Sequence, residues 1–397
     1  MIKISDAKKK VSTDNSLPFL QFAFRPFFLL GAIFSILSLW VWNGALSGKL
    51  VVNLYGGILW WHMHEMLFGF AAAIIVGFLL TAVQNWSGIR GLNGRWLLGL
   101  VLVWLSARIA FFFPETLPAP LIAAIDLAFL PLAATALAYP IIKAKLWRNL
   151  LFIPILLVMA LSNTATHYSV VENNYLIMNS ASSFMVLLVT LVMCIMGGRV
   201  FPMFTANGTR TTRVDSIPLL EKLSFIAILA AVVAGSGVVP LAKPIIASLF
   251  AFAAIVHAVR AFRWKIWVTF KTPLVWSLHL SYWSIVAGLL MYALSEVTTL
   301  VSHSQAIHTL TVGAMATMIL SMISRVSLGH TGRVIVVGKV MTAAFAAILI
   351  SFLVRVFDLY FMDDYSLVLL LAVVFWTLAY GCFVVIYLPI LIKSRVN

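Results

Sequence analysis

Twelve stretches of about 20 apolar residues recur along this chain, each long enough as an α-helix to cross roughly 30 Å of hydrocarbon. They fall near 27–46, 61–83, 96–113, 119–140, 149–168, 176–197, 219–239, 244–262, 274–295, 303–323, 334–356 and 366–392. The expected fold is therefore an all-α integral membrane protein. It forms one polytopic membrane domain over 1–397, a polar segment at 1–24 followed by a bundle of about twelve transmembrane helices between 27 and 392. Composition agrees: 10% of residues are charged and the mean hydropathy is +1.06, whereas roughly a quarter of residues are charged in soluble domains. The first apolar run is too long for a signal-peptide core and lacks a small-residue cleavage site, so the first helix is expected to be retained. No loop is long enough to form a soluble domain.

A net charge of +15 points a soluble domain toward nucleic acid, so the location of the charges decides their meaning. With the N-terminus placed on the cytoplasmic side, 23 of the 27 Lys and Arg residues fall there, from Lys3, Lys8, Lys9, Lys10 and Arg25 through to Lys393 and Arg395. The opposite side holds Lys49, Lys243 and Arg355, and Arg108 lies within the third helix. Glu115, Glu172, Glu296, Asp358, Asp363 and Asp364 fall on that same opposite side. Basic loops remain cytoplasmic, so both termini are expected inside. The excess charge is an orientation device that also attracts anionic lipid, and no nucleic acid partner is expected. Cys194 and Cys382 fall inside helices, which implies no disulfide framework.

Ionisable groups inside a bilayer are costly and mark functional sites by default. Residues 60–70 read "WWHMHEMLFGF" and place His62, His64 and Glu65 at the mouth of an apolar segment. His167 ends the fifth helix near the same face, and His303 and His308 open the tenth. His64 and His308 lie roughly 5–8 Å inside their helix starts. His257 and His279 share a depth near the inner face, and His330 falls in an expected cytoplasmic loop, "RVSLGHTGR". Neutral imidazole ligates copper, zinc and haem iron, although a single His at a membrane face is as well explained by hydrogen bonding. An internal echo favours His64 and His308 as ligands. His64, Gly69 and Gly88 repeat at the same spacing as His308, Gly313 and Gly332, as a duplication would leave them. Small residues follow both histidines and suit either a macrocycle or close helix packing.

Arg108 and Asp126 sit at one depth across the hairpin of the third and fourth helices and are expected to pair. Arg108 is alternatively a propionate partner. Arg260 and Arg263 suit propionates or simple anchoring. Glu65 has no cation near it in sequence; it is a candidate ligand, partner of a ligating His or proton carrier. Glu172 and Glu296 read as solvated caps or parts of the same route. Met63, Met66, Met291 and Met315 are core residues that also offer soft donors to Cu(I).

Four long motifs carry a resemblance. "FRPFFLLGAIF" at 24–34, "HEMLFGFAAAIIVGFLLTAVQNWSG" at 64–88, "MGGRVFPMFTANG" at 196–208 and "HTLTVGAMATMILSMISRVSLGHTGR" at 308–333 are similar to the NnrS family of bacterial membrane proteins. The resemblance implies a twelve-helix protein of the bacterial inner membrane that binds haem and copper and takes part in defence against nitric oxide. The family's "PNWTG" appears here as Gln84, Asn85, Trp86, Ser87 and Gly88, without the proline. Carried over by motif, the implied positions are Arg25, His64, Glu65, Asn85, Trp86, Arg199, His308, His330 and Arg333. Arg199, Asn207, His330 and Arg333 are expected in loops at helix ends, binding propionate or locking those ends.

The leading expectation is a haem and copper centre in the outer half of the bundle that binds nitric oxide and reduces it to nitrous oxide. His62, His64, His303 and His308 supply imidazoles, Glu65 delivers protons, and a b-type haem between His257 and His279 feeds electrons. With no flavin, nucleotide, iron–sulfur or c-type haem motif in the chain, the electrons must come from a quinol or a cytochrome. A transporter of copper or of a small nitrogen species, and a protein that binds nitric oxide without turnover, are the competing classes. A reporter active only in the cytoplasm should work when fused after residue 397 and fail when inserted at 298–302; the reverse pattern would sink the assigned orientation.

Overall fold

The computed structural model describes residues 17–357 and 364–396. Lys3, Lys8, Lys9, Lys10, Asp358 and Asp363 lie outside the described residues. Among those described, all regular structure is helical. Twelve helices follow one another: α1 (Phe24–Leu46), α2 (Gly57–Ser87), α3 (Gly94–Ala110), α4 (Ala119–Lys143), α5 (Phe152–Val171) and α6 (Tyr175–Thr209). The second half comprises α7 (Pro218–Gly235), α8 (Lys243–Arg263), α9 (Pro273–Val297), α10 (His303–His330), α11 (Lys339–Phe357) and α12 (Tyr365–Ile392). Eleven are long and apolar enough to cross a membrane. The exception, α3, has 17 residues, the lower bound for a span.

The described chain begins and ends at one end of the bundle. Arg25, buried at the start of α1, donates through Nη1 to the carbonyls of Leu391 at 2.9 Å and Lys393 at 2.6 Å. These carbonyls have no partner within their own helix. The Val396 N–H bonds to the Thr331 carbonyl at 3.0 Å, bringing the end of α10 into the same knot. This is the end at which the basic loops gather.

Two expected loops are helical. Arg199 and Asn207 lie within α6, which runs to Thr209, and His330 is the last residue of α10. Gly197 and Gly198 suggest a break in sequence, yet they serve close packing. A Cβ at Gly197 would meet the Tyr282 ring at 2.9 Å, and Gly198 leaves space for the Arg260 guanidinium. After His330 the chain turns at Gly332, whose φ of +76° lies in the left-handed region.

Both helices of the echo are irregular in the same place. In α2 the segment Glu65–Ala71 is π-helical and begins directly after His64; in α10 the segment Thr309–Ala316 is π-helical and begins directly after His308. Such wide turns concentrate at functional sites. Inside a membrane, neighbouring side chains must satisfy displaced backbone groups. Trp104 Nε1 of α3 donates to the Gly69 carbonyl at 2.9 Å, and the Tyr380 hydroxyl of α12 donates to the Ala316 carbonyl at 2.8 Å. Beyond the two π segments, Phe28, Ile74, Met193, Met315 and Ile319 line an apolar cavity among α1, α2, α6 and α10.

Replacing Arg25 by Ala should lower the unfolding midpoint of the detergent-purified protein, since its charge-assisted bonds are worth about 1.5–3 kcal/mol. An unchanged midpoint would show that the knot at the basic end does not hold the bundle closed.

Candidate metal centre

The end of the bundle away from the basic loops contains a buried polar cluster contributed by α2, α3, α4 and α5. Its formation starts at Gly56 and Gly57, with φ of +72° and +80°. This left-handed turn allows the Trp60 side chain to fold back over Gly56, where a Cβ would sit 2.6 Å from the ring. Trp60 Nε1 then donates to the Thr166 carbonyl of α5 at 2.8 Å. One helical turn later, the His64 ring stacks on Trp60 with centroids 4.4 Å apart. Phe68 and Phe111 pack against the same imidazole at 5.0 and 5.1 Å.

His64 Nδ1 lies 2.8 Å from Glu65 Oε1, and Nε2 lies 2.8 Å from Asn163 Oδ1 and 3.2 Å from Asp126 Oδ2. Asn163 Nδ2 donates to Asp126 Oδ2 at 2.6 Å. His167 Nε2 lies 3.1 Å from Asp126 Oδ2, and its Nδ1 lies 3.2 Å from the Tyr55 hydroxyl. Arg108 contacts Glu65 Oε1 at 3.0 Å and pairs with Asp126 Oδ1, so the expected Arg108–Asp126 pair is present. All six of these α2–α5 residues are at most 4% exposed.

Local sequence explains the convergence. The π turn carries Glu65 into the interior beside His64. Gly69 leaves the space that Arg108 fills: a Cβ there would meet Arg108 Nη1 at 2.8 Å and Phe34 at 2.7 Å. In α4 the regular helix is interrupted after Leu127. Pro131 has no N–H to offer the Leu127 carbonyl, and Asp126 sits at this break. Asn163 and His167, four residues apart on α5, share one helical face. That spacing was the available sequence signal for a partnership that the reading of isolated histidines misses. Tyr55 comes from the loop before α2. Burial, then the nearby Asp126 charge, push its phenol above the ordinary range, so it remains protonated.

His64 Nε2, Asp126 Oδ2 and His167 Nε2 lie within 4.8 Å of one another. Metal–ligand bonds of 2.0–2.1 Å in a tetrahedral site set neighbouring donors about 3.3 Å apart, close to the two donor–Asp126 separations. The cluster therefore has the geometry to hold a metal ion. Glu65 and Asp126 face Arg108, and both His64 nitrogens lie against acceptor oxygens, so the second carboxylate is balanced either by His64 protonated on both nitrogens or by a bound cation. Glu65 Oε2 is buried and has no hydrogen-bond partner.

The family comparison covers nearly all of this framework, matching the NnrS protein model over residues 18–395. The chain belongs to the NnrS family. No curated protein matches it.

The other NnrS-motif positions and candidate ligands lie elsewhere. No hydrogen bond, ion pair or ring contact joins His64 to His308. His308 Nδ1 donates to the Ser304 carbonyl at 2.7 Å. His62 stacks on Trp42 with centroids 4.3 Å apart, and His303 Nε2 lies 3.4 Å from Ser183 Oγ. Toward the basic end, His257 Nδ1 meets the Tyr282 hydroxyl at 2.6 Å, while His279 Nε2 meets Thr205 Oγ1 at 2.8 Å. Those two imidazoles have separate partners rather than a shared one. Arg260 binds Glu221 and Tyr282, and Arg263 donates to the Asp215 carbonyl. Arg199 donates to Asn149 Oδ1 at 2.8 Å, locking α6 to the turn before α5. Trp86 stacks on Phe152, Asn85 is exposed, His330 packs near Phe24, and Arg333 Nη1 donates to the Thr331 carbonyl at 3.4 Å.

Replacing Arg108 by Met should destabilise the NnrS bundle by about 3–5 kcal/mol, since it strands buried carboxylates. Adding Asp126→Asn should recover part of this loss, with a coupling of about 0.5–3 kcal/mol by double-mutant cycle. Strict additivity would show that the pair is not an energetic unit.

Proposed function

We propose that this chain is a metalloprotein of the nitric oxide response that binds nitric oxide at the His64–Asp126–His167 centre and reduces it to nitrous oxide. The observation supporting the reading is the meeting of three donor atoms from three helices in a chain of the NnrS family. Two imidazoles and a carboxylate suit a first-row metal. Copper, which the family resemblance names, fits by ligand type. When bound, the metal supplies a place to hold nitric oxide and a route for electrons.

Two nitric oxide molecules, two electrons and two protons give one nitrous oxide and one water. Nitric oxide is small and weakly polar, so the apolar cavity among α1, α2, α6 and α10 offers it a path through the bundle. Trp60, Phe68 and Phe111 exclude water around His64. Arg108 holds Glu65 and Asp126 in place. Glu65 Oε2, with no other partner, is the atom that holds and gives up a proton. Electrons come from outside the chain, from a quinol or a cytochrome at the membrane. The basic loops, read as cytoplasmic, favour a position for this centre near the periplasmic face of the bacterial inner membrane.

Purified protein supplied with reductant under anaerobic conditions should consume nitric oxide and release nitrous oxide. His64→Ala and His167→Ala should lose both the bound metal, by elemental analysis, and the turnover. Glu65→Gln should keep the metal and slow turnover by about 10²–10⁴-fold, the range for a lost general acid. Full nitrous oxide production by His167→Ala, or nitric oxide binding without any nitrous oxide in the wild type, would overturn the reading.

A further inference from the structure

At the basic end a cavity of about 280 Å³ opens between the end of α6, the connection to α7 and the α8–α9 turn, with Pro202, Thr205, Thr211, Thr212, Trp264 and Lys265 in its wall. At ~30 Å³ for each water in the liquid, such a space takes a group the size of phosphate. Pro202 and Thr205 belong to the third sequence motif, 196–208, and the metal centre uses neither. Arg210, at φ +56°, caps α6 in a left-handed turn that the Thr211 N–H closes on the Ala206 carbonyl at 3.2 Å. This turn carries Thr211 and Thr212 to the cavity. Lys265, at φ +59°, turns the chain after α8 and forms part of the facing wall.

The polar groups of the wall are mostly donors. Thr205 is buried, with Oγ1 lying 2.8 Å from His279 Nε2, while His279 Nδ1 is buried and has no partner. A hydrogen on Nδ1 would strand a buried N–H, the rarer arrangement, whereas a hydrogen on Nε2 leaves only a lone pair unmatched. Nε2–H therefore donates to Thr205, whose own hydroxyl hydrogen is left for the cavity. Thr209 Oγ1 donates to the Thr205 carbonyl at 2.7 Å, so Thr211 Oγ1 donates to Thr209 at 2.8 Å and is already committed. Among the described residues, Thr212 Oγ1 and the Lys265 ammonium have no hydrogen-bond or ion-pair partner. No Asp or Glu lines the space. The adjoining segment 210–215 carries Arg210 and Arg213 against the exposed Asp215, a net charge of +1.

We propose that this cavity binds a phosphate group, with Thr205 and Thr212 donating to its oxygens and Lys265 balancing its charge, and that the group is the headgroup phosphate of an anionic lipid. Two hydroxyl donors and an ammonium in an acid-free wall match an anion with several acceptor oxygens. Free phosphate offers the same oxygens, but the surroundings favour lipid. Ile217, Phe262, Trp267 and Phe270 flank the wall in sequence and are exposed, as suits acyl chains and the interfacial level at which aromatic residues gather. Basic pockets between membrane helices on the cytoplasmic side hold lipid headgroups in this way. Orientation by basic loops alone accounts for Lys265 and the two arginines, yet it asks nothing of a buried threonine hydroxyl.

The test titrates detergent-purified full-length protein with phosphatidylglycerol, with phosphatidylcholine and with inorganic phosphate, at fixed ionic strength. The readouts are the unfolding midpoint and the lipid retained in native mass spectrometry. Phosphatidylglycerol should raise the midpoint more than phosphatidylcholine does. Thr205→Val removes a hydroxyl and no charge, and should weaken phosphatidylglycerol by about tenfold, the lower bound for a hydrogen bond to a charged group. Lys265 is exposed, so Lys265→Gln tests a folded protein; it should weaken binding about fivefold, the worth of one Lys near an anionic surface. Lys143→Gln removes a basic residue at the end of α4, outside the cavity wall, and should bind as the wild type does. A response to inorganic phosphate alone, lost in the same two variants, would keep the phosphate site and overturn its lipid occupant. No response to either, wild-type affinity in Thr205→Val, or equal losses in Lys143→Gln and Lys265→Gln would overturn the site.

Discussion

A guanidinium facing two carboxylates inside an apolar bundle is the constraint around which the first half of this protein is organised. In hydrocarbon such charges cannot be left to solvent, and removing any one strands the others at a cost of several kcal/mol. Arg108 therefore dictates its surroundings. Gly69 must be side-chainless where the guanidinium passes, with Phe34 and Arg108 already occupying the position of a Cβ. The α2 backbone widens so that Glu65 can turn inward, and α4 breaks where Asp126 must reach across. Asn163 and His167 then occupy the acceptor capacity that Arg108 leaves on Asp126.

The irregularities are affordable only because other helices complete them. Trp104 reaches the Gly69 carbonyl and Tyr380 reaches the Ala316 carbonyl, so each π segment depends on a large aromatic donor from a neighbour. Those residues are also buried apolar mass in the common core. The same side chains thus supply packing area and satisfy displaced backbone groups. At the opposite end Arg25 fulfils the second role alone, taking the terminal carbonyls of α12.

The helices themselves were legible because a membrane span is a property of composition over a window. The Arg108–Asp126 pair was legible because depth in a hairpin follows from residue counting. Azimuth was not legible. His62 and His64 are neighbours in sequence yet face different clusters, since successive helical residues diverge by about 100°. The echo joining His64 to His308 corresponds to a shared backbone device, while the side chains after it turn toward unrelated partners. Gly197 and Gly198 end no helix: they are contact points for Tyr282 and Arg260. Arg199 and Asn207 therefore lie on a helix that continues beyond them.

The two π-containing helices share a backbone device and differ in the acids around it. The π turn and the internal glycine fix how a histidine is presented, whatever it binds. With Glu65 and Asp126 present, the first histidine lies among carboxylates, whereas Thr309 takes the first position of the second π segment.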